Sequence, residues 1–530
     1  MLVAPRHDAQ SGAELSNPPA SASHRLSAAG SNVATAYRRA TPALAWAVVP
    51  LLAVLAYLAV LRIGFLSDDF LTLITGRNRG LNPRILLPDP NWMFYRPIST
   101  ILTWGLGWRL WGDNPFPYHL TGLLLHAGVA LLLGLWLAGV SRRPGLGRLA
   151  GALFAVFPLH TEAVGWLAAQ WDLWAALFGL AALWLFTRWW AESRRVAIYL
   201  TALICWGLGV FSKESVIPLL PLFALSIWAA PGRLAARDWR RLGGALVPFA
   251  LIVTVNIGIR LATWGTLGGY AVPAGDRILF WDQALNYMRL LLAPLNALVF
   301  GDPVVQIVGA VTSLLLLAGL IRYGNGLGRL LALSGAWIAL TLAPVLNLPV
   351  GRADLQNNRF LYLAAAGYCV ALALLLCAAL AAPGARPRLG RELIAGLLVI
   401  SGLACWVQLQ PWHTATVRAE GLIQALHRLI PPGPHKDAMT WYVENLPDSY
   451  RGAYMFRLGF DVARYFADGD LPRIEAVPSA AQVDLAAAEP SGFALRFATD
   501  EVAGHAYIGY AAGITAARPP PSTADAGADL

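Results

Sequence analysis

Long runs of apolar residues fill most of the chain up to about residue 410, and short polar segments separate them. A helix needs roughly 20 mostly apolar residues to cross a hydrocarbon core about 30 Å thick, and several runs approach that length. The pattern therefore predicts a bundle of helices with lipid as its solvent. We predict eleven spanning helices, at residues 42–61, 118–140, 149–167, 173–189, 196–211, 216–230, 242–261, 304–321, 330–346, 360–380 and 393–407.

One further apolar stretch, residues 284–300, is excluded from these spans. Asp282 precedes it, Arg289 lies inside it and Pro294 breaks it. Counting it as a span would place the basic residues Arg322 and Arg329 on the outer side of the membrane. We interpret this stretch as an interfacial or re-entrant helix within a long outer loop.

Basic clusters lie between the apolar runs at regular intervals, while the other loops carry acids, histidines and single cations. Since cytoplasmic loops are enriched in Arg and Lys, each cluster is expected on the cytoplasmic side. The clusters are Arg142, Arg143 and Arg148; Arg188, Arg194 and Arg195; Arg233, Arg237, Arg240 and Arg241; Arg322 and Arg329; and Arg386, Arg388 and Arg391. With a cytoplasmic N-terminus, eleven crossings place the loop 62–117 and the C-terminus outside.

The predicted fold class is an all-α polytopic membrane bundle of about eleven transmembrane helices, with a long first outer loop and a small C-terminal extramembrane α/β domain. We expect a disordered cytoplasmic tail at 1–41, the transmembrane domain at 42–408, a periplasmic domain at 409–515 and a disordered tail at 516–530. An amphipathic helix is predicted at 416–430.

Composition supports the membrane class. Of 530 residues, 57% are hydrophobic and 13% charged, which is too apolar for a soluble chain of this length. The net charge of +10 follows from cationic cytoplasmic loops, so no nucleic-acid partner is expected. All four cysteines lie in apolar runs, where they indicate neither disulfides nor a zinc framework. Low Lys with abundant Ala, Arg and Trp suggests a bacterial origin, and hence the inner membrane.

Asp68 and Asp69 form the strongest candidate site, because they follow the first span directly in the string Ser67-Asp68-Asp69-Phe70. In one interpretation, Ser67 caps a short helix that Gly76 closes, and the acids stabilise its first turn. In the other, one carboxylate is a general base. Adjacent helical residues point about 100° apart, so the second carboxylate would hold an acceptor group, a metal or a structural partner.

Lys213 is one of only two lysines, and it interrupts two apolar helices beside Glu214. It either forms a local ion pair at a tight turn or binds the phosphate of a lipid-linked substrate. Arg96 and Arg359 allow the same two interpretations, and Arg359 could also be an interfacial anchor.

Four other polar residues fall in or beside the apolar runs. His119 and His126 are seven residues apart and share a helical face, but buried histidines are more often bound by neighbouring helices than by a metal. His160 and Glu162 lack the spacing of two metal ligands on one face, which favours hydrogen bonding. We assign no metal ligand and no certain cofactor. Whether the protein uses a divalent metal stays open.

Several of these residues belong to motifs that follow one another in a particular order. The motifs are Tyr95-Arg96-Pro97, Tyr118-His119-Leu120, Leu125-His126, the string from Phe157 to Val164 that contains His160-Thr161-Glu162, Ser212-Lys213-Glu214 and Arg359-Phe360-Leu361-Tyr362. In this order they resemble the transmembrane and tetratricopeptide-containing O-mannosyltransferases and their bacterial relatives, which are membrane glycosyltransferases of the GT-C superfamily. The resemblance covers roughly residues 60–410.

The resemblance implies an inverting transfer of a sugar from a polyprenyl-phosphate-linked donor to a protein, lipid or glycan acceptor on the periplasmic face. It makes Asp68 the base and Asp69 its catalytic neighbour. A phosphate leaves as an anion and needs no general acid, so a base and cations suffice. The cations would be Lys213, Arg96 or Arg359. His160 and Glu162 would position the sugar or acceptor, and His119 and Glu214 join the same substrate-binding group.

The chain departs from the family in two motifs, at Gln170-Trp171-Asp172, where the family often has an Arg before the Asp, and at Asn358, where it often has Glu. No repeat with a period near 34 residues follows residue 407, so tetratricopeptide repeats are not expected. Two alternatives stay open. One is a transporter or lipid flippase, although its charges would be expected near the bilayer midplane. The other is a catalytically silent scaffold, which would tolerate loss of Asp68.

Overall fold

A computed structural model describes residues 44–232, 236–270, 280–429, 440–444, 447–460, 473–477, 493–500 and 505–511. The chain divides into two compact units, Met1–Val48 and Val49–Leu530. Of the first unit only residues 44–48 are described, and they are helical. All contacts reported below lie within the second unit.

Helices dominate the described residues. The longer helices are α1 (Leu44–Arg62), α2 (Asp68–Arg79), α3 (Leu106–Trp111), α4 (Pro115–Ser141), α5 (Pro144–Ala155), α6 (Gln170–Arg188), α7 (Val196–Val210), α8 (Leu220–Ala229), α9 (Ala236–Trp264), α10 (Phe280–Leu292), α11 (Asp302–Leu342), α12 (Tyr362–Leu380) and α13 (Pro387–Leu429). Short helical segments lie between them, at Pro83–Leu86, Pro97–Ser99, Thr100–Gly105, Pro158–His160, Thr161–Gly165, Leu167–Ala169, Trp189–Ser193, Glu214–Leu219, Ala297–Phe300, Ala343–Val345 and Asn358–Leu361.

Seven helical stretches among the described residues are long and apolar enough to cross a membrane. They are α1, α4, the stretch Leu167–Glu192 around α6, α9, α11, α12 and α13, and two shorter apolar helices lie at Val196–Val210 and Glu214–Ala229. The chain is therefore a helical membrane protein, as predicted. The predicted number of eleven spans is not confirmed.

The predicted turn between spans 304–321 and 330–346 is wrong, because α11 is one continuous helix of 41 residues. Packing against α12 explains its continuity. Gly319 lies against Leu375 before the expected turn, and beyond it the Trp337 indole donates to the Leu363 carbonyl at 2.8 Å. Arg322 and Arg329, whose charges suggested a loop, lie within this helix.

The predicted span 149–167 is also wrong. Helix α5 ends at Ala155, since Pro158 lacks the N–H that would continue it, and three short segments follow up to Ala169. The segment predicted at 416–430 is helical up to Leu429 but continues the preceding helix without a break as α13. Ile430 lies outside the described residues.

The excluded stretch 284–300 contains α10, a helix of 13 residues, followed by Pro294 and the four-residue helix Ala297–Phe300. Neither helix is long enough to cross a hydrocarbon core. Its exclusion from the spans therefore agrees with the structure, while its interfacial position stays a prediction.

The centre of the bundle is closely packed through small residues. A side-chain carbon at Gly147 of α5 would overlap the carbonyl oxygen of Gly134 in α4, and one at Gly151 would lie 2.8 Å from the carbonyl oxygen of Ala130. Glycine lets the two backbones approach, which is how helices associate where lipid supplies no hydrophobic drive. Helices α4, α5, α6 and α12 enclose a core that includes Trp136, Phe154 and Phe186.

Strands follow α13. They are β1 (Thr440–Glu444), β2 (Ser449–Tyr450), β3 (Ala453–Tyr454), β4 (Arg473–Val477), β5 (Phe493–Asp500) and β6 (His505–Ala511). One sheet has the order β4-β1-β5-β6, with β1 parallel to both neighbours and β6 antiparallel to β5. Strands β2 and β3 form a separate antiparallel hairpin. The division into domains stays a prediction, and its boundary at 408 falls inside α13. The predicted tails at 1–41 and 516–530 lie outside the described residues.

Candidate functional site

The two adjacent aspartates have different surroundings. Asp69 is buried, and its carboxylate accepts hydrogen bonds from the backbone N–H of Leu66 at 2.9 Å and of Ala168 at 2.7 Å. It therefore ties the start of α2 to the segment before α6. Burial raises the pKa of the Asp69 carboxyl well above its ordinary value, and these two N–H bonds act in the opposite direction.

Asp68 is half-buried and turns to another side of α2. Ser67 occupies the position before the helix but makes no capping bond; instead its hydroxyl donates to Asp68 Oδ1 at 3.1 Å. Burial is the largest effect on Asp68 and raises the pKa of its carboxyl, while the Ser67 hydroxyl, Arg359 and Arg457 lower it. Asp68 thus lies within electrostatic reach of one predicted cation. Gly76 does not close the helix, which continues to Arg79.

A crevice with a volume of about 430 Å³ lies between α9 and the segments that precede α8 and α12. Its charged and polar lining residues include Asp172, Lys213, Glu214, Asn256, Arg260, Tyr270 and Arg359. Three of the predicted site residues, Lys213, Glu214 and Arg359, therefore share one cavity. Asp68 does not line it.

Lys213 and Glu214 do not pair with each other. The Lys213 ammonium contacts Asp172 Oδ2 at 2.6 Å, and both side chains are almost fully buried. Glu214 pairs with Arg96, and its other oxygen accepts from Arg260 Nη2 at 2.9 Å. The hypothesis of a local ion pair at this turn is therefore wrong, because the two side chains point to different neighbours.

Arg359 is held by several polar side chains. Its guanidinium pairs with Glu162, which is buried, and also contacts Asn357 Oδ1 at 3.1 Å and the Tyr454 hydroxyl at 3.4 Å. The guanidinium carbon lies 4.9 Å from the Trp166 ring centroid. Glu162 thus anchors a cation.

The crevice and its ion pairs carry an excess of positive charge. Four cations, Lys213, Arg96, Arg260 and Arg359, face three anions, Asp172, Glu214 and Glu162. Tyr270, outside the spanning helices, reports this field: burial acts to raise its pKa, but Lys213, Arg359 and Arg96 together lower it below the ordinary value. The arrangement can bind one additional negative charge, such as a phosphate.

A second cavity, with a volume of about 260 Å³, is lined by Arg96. Aromatic rings of Trp92, Phe94, Tyr95, Trp104 and Trp171 line it. Leu71, Thr72 and Thr75 of α2 also line it, and they lie three, four and seven residues after Asp68. This spacing puts Asp68 on the same helical face, one turn from the cavity.

The histidines are buried among apolar and aromatic groups. The ring nitrogens of His126 lie 2.9 Å from the Tyr362 hydroxyl and 3.2 Å from the Ala155 carbonyl oxygen, and the His160 ring packs 4.3 Å from that of Phe154. Neither His119 nor His160 lines either cavity. Their predicted role at the substrate stays a prediction. Among the described residues, no group of three or more His, Cys, Asp or Glu side chains could hold a metal ion.

Several residues of the site were not among the predicted candidates. Arg260 and Asn256 lie inside the predicted span 242–261, and the Arg260 Nε donates to Asn256 at 3.0 Å. A cation within an apolar run is a functional signal by itself, and it was available in the sequence. Asp172 was noted only as part of a departure from the family. Tyr454 and Arg457, far along the chain, gave no such signal.

Known proteins with similar sequences are protein O-mannosyl-transferases. The mouse Protein O-mannosyl-transferase TMTC4 is 27% identical over 387 residues, which cover 60% of this chain and 52% of that protein. The human Protein O-mannosyl-transferase TMTC2 is 33% identical over 138 residues, 25% of this chain and 16% of that protein. The chain thus spans about half of the length of TMTC4. No protein-family model matches the chain.

One solved structure with a similar course of the chain is the Archaeoglobus fulgidus oligosaccharyltransferase AglB in complex with an inhibitory peptide and a dolichol-phosphate. The two chains match with a TM-score of 0.46 and share 14% sequence identity, and the match covers 87% of this chain and 70% of that chain. The resemblance predicted from the ordered motifs is confirmed by the sequence comparisons: over 60% of its length, this chain is similar to the TMTC protein O-mannosyl-transferases.

Proposed function

We propose that this protein is a membrane glycosyltransferase that moves a sugar from a polyprenyl-phosphate-linked donor to an acceptor hydroxyl, with inversion at the anomeric carbon. Asp68 is the general base. The phosphate of the donor binds in the crevice, next to Lys213, Arg260 and Arg359. The observation that carries this proposal is that the buried cations Lys213, Arg260 and Arg359 line the crevice, and that the charge of Arg359 acts on the Asp68 carboxyl.

The reaction needs one base and an anion site. The acceptor oxygen forms a bond to the anomeric carbon, its proton passes to Asp68, and the bond from the anomeric carbon to the phosphate oxygen breaks. The phosphate changes from a diester to a monoester and gains negative charge as it leaves. Cations fixed in a partly desolvated site stabilise that charge more in the transition state than in the bound donor.

The acceptor approaches Asp68 through the aromatic cavity in this proposal. Leu71, Thr72 and Thr75 of its wall share the helical face of Asp68, so a hydroxyl held at the end of the cavity nearest α2's first turn lies next to the base. Arg96 lines this cavity and pairs with Glu214, which lines the crevice. In this proposal the acceptor and the donor phosphate therefore bind in two cavities that the Arg96–Glu214 pair connects.

The similar proteins are named protein O-mannosyl-transferases, which makes a mannosyl donor and a serine or threonine hydroxyl of a protein the first pair to test. From the low Lys and abundant Ala, Arg and Trp we infer a bacterial inner-membrane protein. From the basic clusters we infer that its N-terminus lies in the cytoplasm and its site on the periplasmic face. Undecaprenyl phosphate is the carrier expected there.

The test compares Asp68→Asn with Asp113→Asn, an exposed carboxylate of the same region. The full chain is reconstituted in lipid nanodiscs with polyprenyl-phosphate mannose and a library of serine- and threonine-containing peptides. Release of polyprenyl phosphate and mass spectrometry of the peptides measure transfer. Loss of a general base lowers the rate about 10²- to 10⁴-fold, while Asp113→Asn behaves like the wild type.

A parallel experiment covers other sugars and acceptors. The same two variants are expressed in the host organism in place of the wild type, and its surface glycans and glycoproteins are analysed by mass spectrometry. A glycan that disappears with Asp68→Asn and persists with Asp113→Asn identifies the product. Persistence of every glycan with a normally inserted Asp68→Asn protein contradicts the proposal and favours a transporter or a silent scaffold.

A further inference from the structure

Ser67, which immediately precedes the proposed base, has an unusual backbone conformation. Its φ of 51° and ψ of −121° lie outside the regions that residues with a side chain normally adopt. Such a conformation persists only where surrounding contacts impose it, and it occurs preferentially at functional sites. The contacts around Ser67 therefore decide how Asp68 is presented.

Two of these contacts come from a segment near the end of the chain, residues 448–460, which we call the clasp. The Ser67 N–H donates to the Met455 carbonyl oxygen at 2.8 Å. The N–H of Leu458 donates to the Ser67 hydroxyl oxygen at 3.2 Å, although 391 positions separate the two residues. Since the same hydroxyl donates to Asp68, a continuous chain of hydrogen bonds runs from the clasp to the base.

The clasp is firmly held. It begins with the hairpin of β2 and β3, and its residues Ala453 to Phe456 are buried. Asn296 donates to the carbonyl oxygen of Arg451 at 2.9 Å, and Gln356 donates to the Ser449 hydroxyl at 2.9 Å. These bonds fasten the clasp to the segment after α10 and to the loop before α12, so it can fix other groups in place.

The clasp also reaches the cation of the site. The Tyr454 hydroxyl accepts from the N–H of Asn357 at 3.2 Å and lies 3.4 Å from the Arg359 guanidinium. The Tyr454 ring packs 4.6 Å from that of Trp166. One segment thus contacts both the residue before Asp68 and the arginine proposed to stabilise the leaving phosphate.

We propose that the clasp is a positioning element of the active site, which orients Asp68 through Ser67 and Arg359 through Tyr454. This inference rests on the proposed function, in which Asp68 is the base. It assigns a role to a part of the chain beyond the membrane helices, and it makes the orientation of the base depend on a contact formed late in the sequence.

Gly459 offers a direct test. Its φ of +81° favours glycine, and a side-chain carbon there would lie 2.8 Å from the Ser67 carbonyl oxygen. Gly459→Ala therefore displaces the clasp from Ser67. The matched control is Gly384→Ala, because Gly384 has a φ of +78° and no atom within 4 Å of the added carbon. Both variants place alanine at a similar positive φ, but only Gly459→Ala disturbs the contact with Ser67.

Transfer is measured in nanodiscs with polyprenyl-phosphate mannose and an accepted peptide. We expect Gly459→Ala to lower kcat at least tenfold with KM for the donor changed less than twofold. The acid limb of the pH–rate profile moves to higher pH, because Asp68 loses the hydrogen bond that stabilises its charged form. Ser67→Ala, which removes only the hydroxyl, is expected to move the acid limb in the same direction. It replaces Gly459→Ala as the test if that variant does not fold.

The outcomes separate the two proposals. If Gly459→Ala or Ser67→Ala keeps the kcat and pH profile of Gly384→Ala, the clasp does not position the base, although the transferase activity stands. If the wild type shows no transfer that depends on Asp68, the proposed function itself is wrong. A variant whose kcat falls without any change in the acid limb also contradicts the role of Ser67.

Discussion

Asp68 and Asp69 are neighbours in the chain but take different partners, because successive helical residues point about 100° apart. Both oxygens of Asp69 accept backbone N–H groups, from Leu66 and Ala168, that are otherwise buried. Asp68 instead contacts Ser67 and lies within reach of Arg359. At the scale of single residues, one acid therefore holds the loop together and the other is available for chemistry.

Replacing the two acids by amides is expected to separate these roles. Asp69→Asn loses one acceptor and leaves a buried N–H without its partner, which costs about 1–3 kcal/mol of stability. Asp68→Asn is the matched control and keeps full stability while losing transfer. Thermal unfolding of the detergent-solubilised protein, followed by size-exclusion chromatography, gives the comparison. Equal melting temperatures would contradict the structural role of Asp69.

The pKa of the Asp68 carboxyl predicts how the difference in stability between the wild type and Asp68→Asn depends on pH. Because burial raises the pKa of Asp68 in the folded protein, the folded state binds this proton more tightly than the unfolded state does. The stability that the folded state gains from holding this proton is present below the ordinary carboxyl pKa, and it is lost as the pH rises through the raised pKa of Asp68. Asp68→Asn is therefore at least as stable as the wild type at neutral pH, and the difference vanishes in acid.

At the scale of helices, the close distance between α4 and α5 depends on glycine residues at the contact, such as Gly147. A methyl group at Gly147 would overlap backbone atoms of α4, whereas at Gly145, two residues earlier, no atom lies within 4 Å of the added carbon. These two positions on the same helix form a matched pair. The same substitution should therefore act in opposite directions.

We expect Gly147→Ala to destabilise the protein by about 1–3 kcal/mol, since it forces the two backbones apart. Gly145→Ala removes flexibility from the first turn of α5 and is neutral or stabilising by up to about 1 kcal/mol. Fluorescence-detected size-exclusion chromatography after heating measures both. A Gly147→Ala protein as stable as Gly145→Ala would mean that the two helices are not in close contact.

Helix α11 illustrates what local pattern misses at this scale. The string Tyr323-Gly324-Asn325-Gly326, between basic residues, has the composition of a turn, because glycine and asparagine are poor helix formers. Contacts with α12 on both sides of the string keep it helical. Propensity is worth at most about 1 kcal/mol per residue, so packing along a long partner helix decides the outcome.

At the scale of the whole molecule, sidedness connects the site to its substrates. A polyprenyl donor on the periplasmic leaflet can reach Lys213 and Arg359 only if the loop that carries Asp68 lies outside. Arg142, at the end of α4, and Asn91, in the loop after α2, are both exposed and are predicted on opposite sides of the membrane.

Cysteine labelling tests this arrangement. The four native cysteines are first replaced by serine or alanine, and Arg142→Cys and Asn91→Cys are introduced singly. A membrane-impermeant maleimide applied to intact spheroplasts is expected to label Asn91→Cys and to leave Arg142→Cys unlabelled until the membrane is opened. The reverse pattern would place Asp68 in the cytoplasm and exclude the proposed reaction.

The sequence by itself was enough to establish the membrane class, the resemblance to the protein O-mannosyl-transferases and several charged residues of the crevice. Long apolar runs have few alternative environments, and a charge that lies directly beside them, such as Lys213 or Arg359, is costly to bury unless it has a partner or a function. These properties depend on residue type and local order alone. They can therefore be recognised before any contact is known.

Only the tertiary structure decided which charges pair. Lys213 pairs with Asp172 and not with its neighbour Glu214, while Glu214 pairs with Arg96 and Arg260. Ser67 is hydrogen-bonded to Leu458 of the clasp, 391 positions further along the chain. Ion pairs and hydrogen bonds act only over a few ångströms, so partners are set by which elements pack together, and the order of residues along the chain does not contain that distance.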